Sequence, residues 1–237
     1  MDLGTTLLML ITIILILIGF VNKNSLFVFI IQIFWMYILT AGNLSSIDIV
    51  VHQNIFAANQ SGGSLNIYGE LCYLFGHEGF DFIEMNAVLC IFAFILVYCF
   101  IKKYTLNYCF VMSLYFLYPF IDNVIQKRFF IASIIAIYAI IFIIKNSRFS
   151  KLVAIFLIVI AGLIHQAAFG FLIFLLLPFF KNTKNPKTIF IFFLIIISTL
   201  MPIIPDILKV FFGEVKVDFY FVILHEKIKY PILNFIL

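Results

Sequence analysis

The sequence predicts an all-α fold, a polytopic transmembrane helical bundle with about 7–8 membrane segments, and three observations carry that prediction. Hydrophobic residues make up 65% of the 237-residue chain and charged residues only 11%, against about 45–50% and about 25% in ordinary soluble domains. Fifteen basic and eleven acidic side chains cannot cover a soluble protein of this size, so lipid must cover the rest. Apolar runs recur at close to the ~20 residues that a ~30 Å hydrocarbon core requires. Lastly, Lys and Arg crowd into alternate connections between those runs. Backbone groups in lipid must be satisfied within their own segment, so the runs are read as helices.

Taken in order, the first run is 3–20. It has no basic leader, only Asp2 before it, and no small-residue cleavage site, so it reads as a retained span. Further spans are expected at 26–41, 84–101, 104–121, 129–144 and 188–205. The run 152–180 is longer and is interrupted by Gly162, His165 and Gln166. It reads as one long tilted helix or as two short helices forming a re-entrant hairpin.

Lys23, the pair Lys102 and Lys103, the cluster Lys145, Arg148 and Lys151, and the cluster Lys181, Lys184 and Lys187 mark the inner connections. The segment 42–83 carries Asp48, Glu70, Glu78 and Asp81 but no Lys or Arg, and is expected to be an outer loop. The N-terminus is then outside. Keeping both flanks of 152–180 inside requires that run to go out and return, which puts His165 at an outer tip or deep within the hairpin. With no repeat and no linker, 1–237 reads as a single integral membrane domain. Tyr230–Leu237 looks like the start of a span, yet eight residues cannot cross a bilayer. The chain is therefore expected to be truncated, or to end at the interface.

Motifs of soluble enzymes are absent: no GxGxxG, P-loop, HExxH or GxSxG. Cys72, Cys90, Cys99 and Cys109 form no CxxC pair and read as buried small hydrophobes. His52 and His77 are isolated, and no acidic or His cluster has ligand spacing, so no metal and no cofactor are expected. A net charge of +4 is accounted for by sidedness and gives no reason to expect nucleic acid.

What remains is a small set of polar residues that lipid penalises. Arg128 opens the fifth span, just after Gln126 and Lys127, and an ionisable residue there is a functional candidate because its placement is costly. Ala132, Ala136 and Ala139 follow at helical spacing, a stripe of small residues that lets another helix pack close. Arg128 lies one turn before Ala132 on that face and is expected to point into the bundle. His165 sits among Ala161, Gly162, Gln166 and Ala168, with room for a substrate and an imidazole able to take a proton near neutral pH. Asp48 and Glu70 place carboxylates near the spans. Tyr68 heads a group of aromatics in the outer segment suited to stacking on sugars or to anchoring at the interface.

The order of these features resembles the EpsG-like family, relatives of the Wzy polysaccharide polymerases. An acid follows the second span and another precedes an aromatic stretch in a long outer loop. "QKRFFIAS" then opens a span, and "IAGLIHQAAFGFLI" follows the basic connection "KNSRFSK". The resemblance covers roughly residues 40–180. The chain departs from the family's usual pattern at Phe129, where a Gln often follows the Arg, and at Val51 and His52, where a Tyr often follows the loop Asp.

The resemblance implies a multi-pass enzyme of the bacterial plasma membrane. Its substrate is an undecaprenyl-diphosphate-linked oligosaccharide, joined to the next repeat unit at the outer face. The bilayer and other polysaccharide-assembly proteins are its partners. Arg128, His165, Asp48 and Glu70 are then the catalytic candidates, with Gln126, Lys127, Gln166 and Tyr68 binding substrate. A guanidinium offers a diphosphate leaving group bidentate hydrogen bonds, and an acceptor hydroxyl needs a general base. A flippase for the lipid-linked unit, a membrane O-acyltransferase acting on the glycan, and a non-catalytic scaffold are the competing readings.

Overall fold

The computed structural model describes residues 3–44, 47–62, 66–145 and 147–178, and every regular element among them is helical. The expected span at 188–205 and the short run 230–237 lie outside the described residues. In chain order the elements are α1 (Leu3–Val21), α2 (Leu26–Gly42), α3 (Ile47–Asn59), α4 (Ile67–His77) and α5 (Phe82–Tyr104). They continue as α6 (Tyr108–Leu117), α7 (Phe120–Ile125), α8 (Lys127–Lys145), α9 (Arg148–Ile164) and a 3-10 helix (Gln166–Leu176). Three of them, α1, α5 and α8, are long and apolar enough to cross a membrane, while α2, α6 and the 3-10 helix are apolar but shorter.

Local chemistry sets the ends of these helices. Ser25 caps α2 by accepting from the Val28 amide. Asp81 and Glu84 form a reciprocal capping box at the start of α5, and Lys102 and Lys103 sit in its last turn, where cations suit the helix dipole. Ser147 and Ser150 open α9 in the same reciprocal way.

Two stretches differ from the sequence reading. The run 104–121 is not one helix, because α6 stops at Leu117 and α7 restarts at Phe120. Pro119 explains the break: it has no amide hydrogen, and it pushes Tyr118 into extended backbone (φ −167°, ψ 134°). The ten residues of α6 rise only ~15 Å, about half the hydrocarbon core. The segment 42–83 is also more than a loop, since it contains α3 and α4.

At 152–178 the chain turns on His165, whose extended backbone (φ −147°, ψ 116°) separates α9 from the 3-10 helix. Ala168 packs with Ala161 and Ile164, while Phe174, Leu175 and Leu177 pack against Ile143, Ala154 and Ile158. Increasing residue number on one arm meets decreasing number on the other, so the 3-10 helix doubles back along α9. Small residues permit that approach: Gly162 lies under the Phe169 ring, where a Cβ would collide with it.

The bundle sorts its charges to opposite ends. Phe94 meets Phe130 and Phe100 meets Tyr138, so α5 and α8 run parallel. Lys102 and Lys103 therefore share an end with Lys145. Lys23 joins them through α6: Lys23 stands over Phe110 and Lys102 over Tyr108, whose hydroxyl bonds the Asn24 carbonyl. At the other end α2 finishes beside the start of α8, where the Asn43 carbonyl accepts from Lys127 at 2.8 Å. The helices of the outer segment pack at this second end.

Candidate functional site

The second end of the bundle rests on a small-residue platform. Ala132 and Ala136 on α8, with Ala161 and Ala168, are fully buried against Tyr68 and Cys72 of α4, Ile49 and Phe56 of α3, and Met85 of α5. α4 packs on α3, α9 and α5, and its Tyr68 side chain reaches the start of α8, where it meets Arg128. Its guanidinium lies over the Tyr68 ring, 5.1 Å from the centroid, a cation–π pairing. Its Nε is sealed from solvent and makes no hydrogen bond among the described residues. Arg128 thus faces the bundle, with Tyr68 as a platform rather than an exposed sugar-stacking ring: Tyr68 is 3% exposed.

Lys127, only 2% exposed, turns to a neighbouring face and spends its ammonium on the Asn43 carbonyl. No carboxylate pairs with Lys127 or Arg128 among the described residues, where the one ion pair joins His77 and Glu78 on the surface. Both cations stand in the first turn of α8, where the dipole already favours an anion and disfavours them. Two cations at a helix N-terminus, with no carboxylate partner among the described residues, form a site of positive potential that an oxyanion ligand would neutralise.

Sequence reasoning passed over His52 as isolated. It is 6% exposed, its ring parallel to Phe82 at 6.4 Å between centroids. Neither ring nitrogen makes a hydrogen bond of good geometry, though the Ile125 backbone is near enough to favour the protonated ring slightly. Burial pushes its pKa down to about 4, with Arg128 and Lys127 adding to the effect and Asp48 opposing it. The imidazole is therefore neutral at pH 7. Asp48 is half-buried in the first turn of α3, one turn before His52, so the two share a helix face. That i, i+4 spacing was the signal available in the sequence. Burial likewise raises the Tyr68 hydroxyl above its usual range and the Cys72 thiol to about 11, Arg128 working against both shifts.

The remaining predicted residues are distributed around this centre. His165 is half-buried at the turn between α9 and the 3-10 helix, its ring edge-on to Phe129 at 5.4 Å. Gln166 is exposed beside it, and Gln126 is exposed between α7 and α8. Glu70 is exposed in the first turn of α4, two residues beyond Tyr68 and so toward the opposite side of that helix. The structure thus gathers Asp48, Tyr68, Lys127 and Arg128 with the unforeseen His52, links His165 to the start of α8 through Phe129, and leaves Glu70 facing solvent. No group of three His, Cys, Asp or Glu able to hold a metal comes together among the described residues.

A second feature adjoins this centre. A groove of about 520 Å³ runs between α5, α6 and α8. Its polar lining includes Asp122, Asn123 and Gln126, and Phe129 forms part of its wall.

No curated protein and no solved structure matches the chain. The family comparison is positive: the EpsG family matches residues 27–237, nearly the whole chain and all of the site. The chain belongs to the EpsG family, a membrane family associated with polysaccharide biosynthesis.

Proposed function

We propose that this protein is a membrane glycosyltransferase that polymerises undecaprenyl-diphosphate-linked oligosaccharide repeat units at the outer face of the bacterial plasma membrane. The observation that carries the reading is the pair Lys127 and Arg128, buried or half-buried cations without a carboxylate partner among the described residues. They stand at the end of the bundle opposite the Lys23, Lys102, Lys103 and Lys145 end. The positive-inside rule assigns that other end to the cytoplasm and this one to the exterior. On this reading the turn at His165 is the outer tip of a re-entrant hairpin.

In the reaction, an acceptor sugar hydroxyl attacks the anomeric carbon of the growing glycan. The bond from that carbon to the diphosphate oxygen breaks, and the carrier diphosphate leaves with the electron pair. Arg128, held flat by Tyr68, and Lys127 stabilise the charge that develops on the leaving group. The hydroxyl proton passes to the imidazole of His165, which stands at the turn between α9 and the 3-10 helix. Asp48 orients the acceptor, and Glu70 faces solvent in the first turn of α4.

The test is deletion of the gene in its source strain, complemented with wild-type and Arg128→Ala chains at matched protein level. Surface glycan is then sized by gel and mass spectrometry. A ladder restored by the wild type and single repeat units with Arg128→Ala are the expected results. A full ladder with Arg128→Ala defeats the reading, and loss of all surface glycan on deletion redirects it to a flippase.

A further inference from the structure

We infer that His52 is a third ligand of the oxyanion site at the start of α8, and that its ring takes a proton from solvent as the oxyanion enters. The inference rests on the reading of Lys127 and Arg128 as that site, and on the polymerase reading only for naming the oxyanion a diphosphate. Two buried polar side chains at one place in the fold lack partners. Arg128 Nε and both ring nitrogens of His52 are sealed from solvent without a hydrogen bond of good geometry among the described residues. His52 is 6% exposed, and the Arg128 charge is close enough to act on its ring. Buried polar groups are paired in nearly all folded proteins, so two orphans this close point to one missing partner.

That partner must be an acceptor, because a guanidinium can only donate. Lys127 beside it is a second donor, with one bond to the Asn43 carbonyl, and the dipole of α8 adds to the attraction for an anion. Asp48, one turn before His52, acts on the ring by its charge but pairs with neither cation.

The chemistry of the imidazole decides how it joins. A neutral ring has one N–H and one lone pair. The Ile125 backbone at the end of α7 favours the protonated ring, and an oxyanion needs a donor as well. Only the imidazolium, with two N–H groups, serves both. In the empty site burial pushes the ring's pKa down to about 4, and Arg128 and Lys127 reinforce the effect. An oxyanion set among the three offsets that repulsion and adds an attraction of its own. The proton arrives with the anion and leaves with it. The charges acting on the ring are Arg128 and Lys127 from α8 and Asp48 from α3. For the rest, α5 presents the Phe82 ring, α7 the Ile125 backbone, and α4 meets Arg128 through Tyr68.

The test uses the full chain in lipid nanodiscs, with inorganic diphosphate as the probe and its Kd measured by calorimetry. The anion holds the protonated ring better than the neutral one, so affinity rises as pH falls. With the ring restored in the complex to the ordinary 6.5, the wild type tightens about tenfold relative to His52→Gln between about pH 7.5 and about pH 5.5. The diphosphate's own titration is common to both chains and cancels in that ratio. Titrations in two buffers of unlike ionisation heat count the proton directly, a readout that a merely structural His52 would not move. At the lower pH the wild type takes up close to one proton more than His52→Gln. His77→Gln, at an exposed His paired with Glu78, should track the wild type. Arg128→Ala should weaken binding about tenfold or more at every pH, which places the probe at α8. Should His52→Gln fail to fold, His52→Asn is compared in its place.

No binding of diphosphate by the wild type, an affinity ratio constant across the pH range, equal proton uptake by both chains, or a Kd indifferent to Arg128→Ala overturns the inference. The glycan ladder of Arg128→Ala is read separately. A normal ladder with proton-linked binding removes the polymerase reading and keeps the His52 site. A shortened ladder with no difference between wild type and His52→Gln does the reverse.

Discussion

Arg128 rests its guanidinium 5.1 Å from the centroid of the Tyr68 ring, joining a cation on the long helix α8 to an aromatic on the short helix α4. The hydroxyl of Tyr68 is not what Arg128 uses; the ring face is. Tyr68→Phe is therefore expected to keep glycan length close to wild type. Tyr68→Leu should shorten it, with a rate loss of about two-fold to about thirty-fold for the ~0.5–2 kcal/mol a cation–π contact contributes. Chain-length distributions from cells expressing each variant at equal level decide the matter, and equal loss in both would assign the role to the hydroxyl.

His52 makes the outer helices acid-sensitive. Its folded pKa, about 4, lies below the ordinary 6.5, so the unfolded chain binds the proton more readily and stability falls as pH drops from about 6.5 toward 4. Above 6.5 the ring is neutral in both states and has no effect on the pH profile. The full loss is on the order of 3 kcal/mol. His52→Leu should flatten the melting-temperature profile in detergent across that window. An unchanged slope would mean that another group titrates there.

A polar knot holds α1 to the bundle, since Leu15 and Gly19 are its only buried residues. Gln32 Nε2 donates to the Leu15 carbonyl and to Ser113 Oγ, and Ser113 in turn donates to the Ile16 carbonyl. Gly19 leaves space for this knot, and a Cβ there would strike both Gln32 and Ser113. Gly19→Val should destabilise the protein by about 1–3 kcal/mol, read as earlier aggregation on heating in detergent. Gly42→Val, at a glycine with open space around it, is the control.

Gly162 and Phe169 are expected to behave as a coupled pair. Gly162→Ala drives a methyl into the Phe169 ring and should displace the 3-10 helix, reducing glycan length or thermal stability. Phe169→Leu, a smaller side chain, should recover part of the loss when combined with it. A double-mutant cycle measures the coupling, expected at about 0.5–3 kcal/mol. Simple additivity would show that the two arms of the turn are independent.

The long apolar helices were legible because span length and hydropathy are properties of a single segment: α1, α5 and α8 start and stop within a few residues of where composition placed them. Arg128 was legible through Ala132 and Ala136, whose spacing fixes a face. The break at Pro119 was visible as a residue, yet the apolar run around it masked its effect. Proline is tolerated in membrane helices when neighbours satisfy the freed groups, and only the packed structure shows that here the helix stops. His52 escaped notice for a different reason. Its burial and its cationic neighbours come from α5 and α8, so the one local signal, Asp48 one turn earlier, does not announce a buried imidazole near two cations. Phe129 was noted only as a departure from a pattern, whereas its ring joins the groove to His165.

Tyr68, Asp48 and His52 belong to the two short outer helices, and Lys127 and Arg128 to the long helix beneath them. Apart from the Tyr68 ring beneath Arg128 and the His52 imidazole, this division separates the handling of the leaving group from the reception of the incoming sugar. Short amphipathic helices that lie on a bundle without threading through it are free to change sequence while the membrane-spanning frame stays fixed. On the proposed reading, a lineage that alters the composition of its glycan can rewrite residues 47–77 around a fixed His52 and Tyr68 and inherit the diphosphate chemistry intact, as a tool keeps its handle when the bit is exchanged.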